Sequence, residues 1–240
     1  MTSFQQRIFA AETMDAADSD AQRLERSYSQ LAVINRWFSR MAALLRQNVL
    51  MPAVRAGTSP TVLEVGCGGG DVLAWLAHAG RRSGIKLRLL GIDADARAVA
   101  HARRRLARFP EASVEHGTIA NLDAVCPAAD YVFCNHVLHH VAPSDLDSAL
   151  RSLRAAAKRR LLVNDLERSA AAYTLFSGLA RIAFRNSFVY DDGRLSIRKG
   201  FRVPELVTAC ANAGFPRASR VFRLFPWRVV VVAPGEHDSR

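Results

Sequence analysis

From residue 60 onward, short apolar runs alternate with stretches of helical period, a pattern that predicts strands and helices in turn and hence a doubly wound, mostly parallel sheet. Residues 61–65 read as the first strand. Residues 71–79 follow as a helix that turns Val72, Trp75 and Leu76 inward and stops at Gly80. A second strand over 87–92 ends at Asp93, and a helix over 96–109 puts Val99, Ala102 and Leu106 on one face before Pro110 ends it. Short strands follow at 113–115 and 131–134, then a helix opened by Pro143 and Ser144, then a fifth strand at 160–163. The alternation breaks between about 168 and 200, where an apolar helical segment (171–184) and a polar loop read as a cap inserted after strand five. A helix from Pro204 to Gly214 and strands at 220–224 and 227–232 bring the sheet to seven strands.

Residues 1–57 carry no strand pattern. Leu24, Tyr28, Leu31, Phe38, Met41 and Leu45 recur at helical steps and form one apolar stripe. The expected organisation is an N-terminal helical lid over 1–57, with Tyr28, Asn35, Arg36 and Trp37 available to cover a ligand, and one α/β domain over 58–240.

Composition narrows the function classes. A chain of 240 residues, half of them hydrophobic, can bury one substantial core. No run approaches the roughly 18 apolar residues of a membrane span, and the polar N-terminus lacks the regions of a signal peptide, so a cytoplasmic protein is expected. Cys67, Cys126, Cys134 and Cys210 form no Cys-x-x-Cys pair and no cluster with zinc spacing, so neither disulfides nor a metal is expected. The net charge of +11 comes mainly from arginine, and the run Arg103-Arg104-Arg105 falls opposite the apolar face of its helix, as a solvated face does. Without a stripe of interleaved aromatic and basic residues, nucleic acid is a disfavoured partner. A monomer or a homodimer is expected.

The chemistry concentrates where strand one ends, at Glu64-Val65-Gly66-Cys67-Gly68-Gly69-Gly70-Asp71. Glycines there let the backbone turn sharply beside a ligand, and the following helix offers unpaired N–H groups. Asp93, roughly 20 residues on and at the tip of the next strand, is placed to accept ribose hydroxyls. A dinucleotide turn would need a third glycine where Asp71 stands, and a carboxylate there would repel pyrophosphate. The turn instead resembles that of the class I S-adenosylmethionine-dependent methyltransferases, whose form is Glu/Asp-x-Gly-x-Gly-x-Gly, and the domain is then expected to be Rossmann-like.

That resemblance implies S-adenosyl-L-methionine as cofactor and S-adenosyl-L-homocysteine as product. It implies a cofactor site of Glu64, Gly66, Cys67, Gly68, Gly70, Asp93, Ala94, Thr118, Ile119, Asn135 and His136, with Asp93 on the ribose and Thr118 and Ile119 flanking adenine. His139, His140, His136 and Asp165 are the candidate bases, since imidazole takes up a proton near neutral pH. Strand four continues into Asn135-His136-Val137-Leu138 instead of the Asn/Asp-Pro-Pro-Tyr/Phe of amino-group methylases. With the insertion, this resembles bacterial methyltransferases of quinone, phenolic and polyketide-derived metabolites. The expected reaction is transfer of methyl to a hydroxyl of a small aromatic or lipophilic acceptor, met by Tyr28, Trp37, Arg185 and Tyr190. The competing readings are an RNA or protein methyltransferase and a cofactor-binding partner protein without catalysis.

Overall fold

The computed structural model describes residues 4–126 and 128–236; residues 1–3 and 237–240, the outer ends of the two expected domains, lie outside it. Strands β1 (Thr61–Val65), β2 (Arg88–Asp93), β3 (Ala112–His116), β4 (Ala129–Asn135), β5 (Ala157–Leu166), β6 (Arg220–Leu224) and β7 (Arg228–Pro234) form one sheet. Its order is β3-β2-β1-β4-β5-β7-β6, parallel except for β7. The helices are α1 (Ala21–Trp37), α2 (Met41–Leu45), α3 (Met51–Ala56), α4 (Asp71–Arg82), α5 (Ala96–Leu106), α6 (Leu122–Val125), α7 (Leu146–Ala155), α8 (Ala170–Ala183), α9 (Val189–Lys199) and α10 (Val203–Asn212), with a π turn over Arg46–Leu50.

Because side chains alternate along a strand, the sheet buries two cores. Val62, Leu89, Phe133 and Leu162 face a layer that includes Leu73, Leu76, Leu106 and Phe109 of the α4/α5 side. Leu63, Val132, Leu161 and Val229 face Leu146, Leu150 and Leu153 of α7 and Leu206 of α10. The N-terminal stripe divides between two tasks. Met41, Leu44, Leu45, Val49 and Leu50 join the α4-side core, whereas Leu24 and Tyr28 pack with Ala98 and Phe188 in a small separate cluster.

Three elements differ from expectation. Helix α4 passes through Gly80 and ends at Arg82, followed by Gly84 at φ +69°. Gly80 serves packing, since a Cβ there would lie 2.8 Å from Leu87. The expected polar loop after 184 is the helix α9, whose first turn holds Asp191 and Asp192 and whose last holds Arg198 and Lys199, matching the helix dipole. Strand β5 is longer than the apolar run at 160–163, because antiparallel β7 pairs with it as far as Leu166 and takes Asp165 into the ladder. The arginine run lies on the surface as expected, with Arg103 paired to Glu115 and Arg104 to Glu25.

Candidate active site

Parallel pairing aligns the carboxyl ends of β1, β2, β4 and β5, so Gly66, Asp93, Asn135 and Asp165 share one edge of the sheet. The turn after β1 is held from below. The N–H groups of Gly66 and Cys67 donate to Ile92 O at 2.8 and 2.9 Å, and the Gly68 N–H donates to Asp93 Oδ2 at 2.7 Å. Gly66 (φ +71°) can carry no side chain, because a Cβ would strike Val137. Gly68 (φ +50°) faces open space instead, with nothing within 4 Å of where a Cβ would stand. That leaves free volume beside the half-buried backbone of the turn.

The electrostatics of this turn are those of crowded acids. Glu64 is 2 % exposed and one carboxylate oxygen has no partner among the described residues. Burial, reinforced by Asp71 and Asp93, holds its carboxyl well above the usual range. Burial also raises the carboxyls of Asp71 and Asp93. Among the described residues none of the three forms an ion pair. Asp71 accepts instead from the Asn35 amide at 3.2 Å, and Asp93 from the backbone N–H of Gly68 and Asp95. Three carboxylates crowded without a paired cation fit a positively charged ligand.

Asn35 belongs to α1, and its carbonyl oxygen accepts from Asn135 Nδ2 at 3.0 Å. Asn164 Nδ2 in turn donates to Asn135 Oδ1 at 2.8 Å and to Ser39 O at 2.7 Å. This amide chain ties the N-terminal helix across the tips of β4 and β5. Tyr28 packs on the glycine turn itself, its Cβ standing 3.3 Å from where a Gly69 side chain would begin, with its ring 5.0 Å from that of His101. Thr118 and Ile119 begin a 3-10 turn beyond β3, and the exposed Ala94 follows Asp93, its carbonyl 2.9 Å from His116 Nε2.

The histidines after β4 separate into three environments. His136 adopts φ +61°, an uncommon conformation for a side-chain-bearing residue. Its Nε2 is buried without a partner among the described residues, and burial together with Arg228 keeps the ring neutral. His139 is 2 % exposed, and its Nδ1 lies 2.7 Å from Asp165 Oδ1. Burial holds this imidazole neutral, so the proton sits on Nδ1, donated to an ionised Asp165 that also accepts from the Leu166 N–H. Nε2 is left bare. His140 is less enclosed, and although burial works against its charged form, Asp15 at 3.3 Å and Glu12 raise its pKa.

Residues 4–19 form a strap across this edge, which local sequence does not announce. Arg168 donates to Phe4 O and Gln5 O, Asp192 accepts from the N–H groups of Thr13 and Met14, and Arg97 donates to Met14 O and Ala16 O. The strap places Glu12 Oε1 3.7 Å from His139 Nε2 and 2.9 Å from the Lys199 ammonium. Glu12, His139 and His140 bring ligand-capable atoms within 4.8 Å of one another, a gathering that linear Cys/His spacing does not reveal. Lys199 already supplies a positive charge there. Of the expected acceptor residues, Trp37 is 66 % exposed, the Arg185 side chain is at the surface, and Tyr190 shares Arg194 with Tyr173 of α8.

Residues 62–160 match the family of methyltransferase domains. The chain is 34 % identical over 181 residues to an uncharacterised 37.1 kDa protein in transposon TN4556 of Streptomyces fradiae, covering 69 % of this chain and 50 % of that one. It is 32 % identical over 117 residues to a probable S-adenosylmethionine-dependent methyltransferase of Mycolicibacterium smegmatis, covering 49 % and 40 %. The chain thus spans half or less of the length of these curated relatives. Among solved structures, the plantazolicin methyltransferase BamL, crystallised with a triazolic desmethylPZN analog and S-adenosylhomocysteine, superposes with a TM-score of 0.65 at 15 % identity, over 90 % of this chain and 94 % of that one. An O-methyltransferase family protein of Burkholderia thailandensis gives 0.63 at 15 % identity (90 % and 60 % covered), and the DszA carbon methyltransferase 0.58 at 19 % (90 % and 55 %). These likenesses establish the fold.

Proposed function

Since residues 62–160 match the family of methyltransferase domains and the sheet has the class I fold, we propose that this chain binds S-adenosyl-L-methionine and transfers its methyl group to a hydroxyl of a small phenolic, quinol or polyketide-type metabolite. The observation that carries the cofactor is the trio of Glu64, Asp71 and Asp93, crowded and without a paired cation around the open face of Gly68. The cofactor's sulfonium and ammonium supply the missing positive charge, and the sulfonium supplies an electrophilic methyl. Asp93 and Ala94 would hold the ribose and adenine side, with Thr118 and Ile119 beyond. Glu64, Gly66, Cys67, Gly68 and Gly70 would hold the methionine side, with Asn135 and His136 nearby.

The chain's own contribution is alignment, exclusion of water and removal of the acceptor's proton. We assign the last to His139. Asp165 accepts the Nδ1–H and so fixes the tautomer that leaves Nε2 basic, the logic by which a carboxylate orients a catalytic imidazole. His136, with its own unpartnered Nε2, is the second candidate. Glu12 stands in front of His139 Nε2, so an acceptor hydroxyl reaches that nitrogen only if the strap withdraws. The lid and cap roles of residues 1–57 and 168–200 belong to this proposal, supported by Asn35 and Tyr28 lying over the glycine turn. Oxygen is favoured because an imidazole base answers the need of a hydroxyl acceptor; a carbon acceptor is the competing case.

Incubation with methyl-labelled S-adenosylmethionine and a panel of phenols, quinols and RNA tests the reading. Label on a hydroxyl supports it. Label on RNA or on carbon replaces the acceptor, and cofactor binding with no transfer to any acceptor favours a binding protein.

A further inference from the structure

Helices α8 and α1 present apolar side chains to solvent. On α8, Leu175, Leu179 and Ile182 are 49 %, 59 % and 72 % exposed and share one face at spacings of four and three. On α1, Val33 and Trp37 are exposed and lie on the same side as Gln30. Gln30 ties α1 to the segment just past the end of α8, since its Nε2 donates to Arg185 O at 3.3 Å and its Oε1 accepts from Ser187 Oγ at 2.6 Å. The C-terminal end of α8, which carries Ile182, is thereby held near α1.

Charge on this region has one sign. No Asp or Glu occurs between Glu25 and Glu64, nor between Glu167 and Asp191, although acids are scattered through the rest of the chain. Arg36, Arg40, Arg181 and Arg185 are all exposed around the apolar side chains. Aliphatic side chains and a tryptophan, ringed by arginine and free of carboxylates, combine the two attractions of an interfacial helix: apolar burial at the headgroup boundary and attraction to anionic lipid. A face built only for solvent has no need of the apolar residues, and a purely apolar interface has no need of the arginines. No helix among the described residues is long and apolar enough to cross a membrane.

We propose that the exposed faces of α8 and α1, carrying Leu179, Ile182 and Trp37 among Arg36, Arg181 and Arg185, together dock the protein on an anionic phospholipid surface. The docking stands apart from the acceptor's identity, because it rests on exposure and charge outside the glycine turn. It would place α1, whose Asn35 closes over the site, against the lipid.

The test is co-sedimentation of the full chain with vesicles of equimolar phosphatidylglycerol and phosphatidylcholine, against phosphatidylcholine alone. Binding to the mixed vesicles, released by salt, is expected. Leu179→Asp with Ile182→Asp should lower partitioning by tenfold or more, on the order of the buried apolar area lost. Arg181→Gln with Arg185→Gln should lower it by about fivefold per arginine. All four sites are exposed, and unchanged thermal unfolding midpoints would show that the variants fold. Absence of co-sedimentation, equal binding to phosphatidylcholine alone, or variants that bind as well as the parent would each overturn the proposal. So would a dimer in sedimentation equilibrium that the Leu179 and Ile182 substitutions dissociate, which would make the face a contact between copies.

Discussion

His139 Nδ1 stands 2.7 Å from Asp165 Oδ1, and both side chains are buried where β4 and β5 end. The contact joins the loop after one strand to the body of its neighbour, so it shapes the site as well as orienting a proton. A neutral imidazole donating to an ionised carboxylate satisfies most of a buried charge, with Arg228 adding attraction from β7. Removing the ring leaves that charge without its main partner. His139→Ala should destabilise the fold by about 3 kcal/mol, read by urea unfolding; a loss below about 1 kcal/mol would mean that Asp165 is held well enough by backbone N–H groups.

The same substitution separates the candidate bases. If His139 removes the acceptor's proton, His139→Ala and Asp165→Asn should both lower turnover by about 100-fold or more while cofactor affinity stays nearly constant. His136→Ala should then cost much less. A large loss at His136 with little at His139 would transfer the role to the left-handed residue.

Gly68 offers a test of the cofactor site that does not depend on the acceptor. Its open surroundings give an aspartate room, and the φ of +50° adds strain of about 1 kcal/mol, so Gly68→Asp should fold. The new carboxylate would join Glu64, Asp71 and Asp93 beside the cofactor's own carboxylate, and binding of S-adenosylhomocysteine should fall by more than tenfold. Unchanged affinity would put the site elsewhere.

The strap should respond to pH through His140 and Asp15. Burial opposes the charge on His140, yet Asp15 and Glu12 raise its pKa above the ordinary 6.5, so its stabilisation is present below that value and lost as pH rises through the folded pKa. Asp15 is also opposed by burial and is nonetheless lowered below 3.8 by His140, so its share is present above that value and lost as pH falls. The contact is therefore strongest between about pH 4 and 6.5. Limited proteolysis of residues 4–19 should accelerate above neutrality, and Asp15→Asn should flatten that dependence.

Glu12 and Lys199 form a buried pair whose members are 5 % and 2 % exposed. Lys199→Met should cost about 3–5 kcal/mol by stranding Glu12, and the double variant with Glu12→Gln should cost less than the sum of the two single changes. Additive losses would show that the pair is not coupled.

What the sequence revealed follows from how local each signal is. The glycine turn, Asp93 and the run from Asn135 to His140 each sit at the end of an apolar strand, so strand periodicity alone carries them to one edge of the sheet. The Glu12–Lys199 pair spans 187 positions and has no periodic signature, so only the folded chain reveals it. Helix α9 escaped for a related reason. Its buried face mixes Val189 and Ile197 with Asp192, Ser196 and Lys199, and those polar groups are satisfied by the strap, which erases the apolar stripe that marks an ordinary surface helix. Asp165 read as lying just past the tip of strand five because the apolar run ends at Val163, whereas pairing with β7 extends the strand past it.

Everything proposed for catalysis rests on the cofactor, and isothermal titration of the purified chain with S-adenosylhomocysteine, with NADH and ATP as controls, tests it most directly. Binding of S-adenosylhomocysteine with micromolar affinity and no heat from either control is the predicted result. Binding of NADH or ATP in its place, or no binding of S-adenosylhomocysteine even with the strap released above neutral pH, would contradict the assignment of the glycine turn and its three carboxylates to this cofactor.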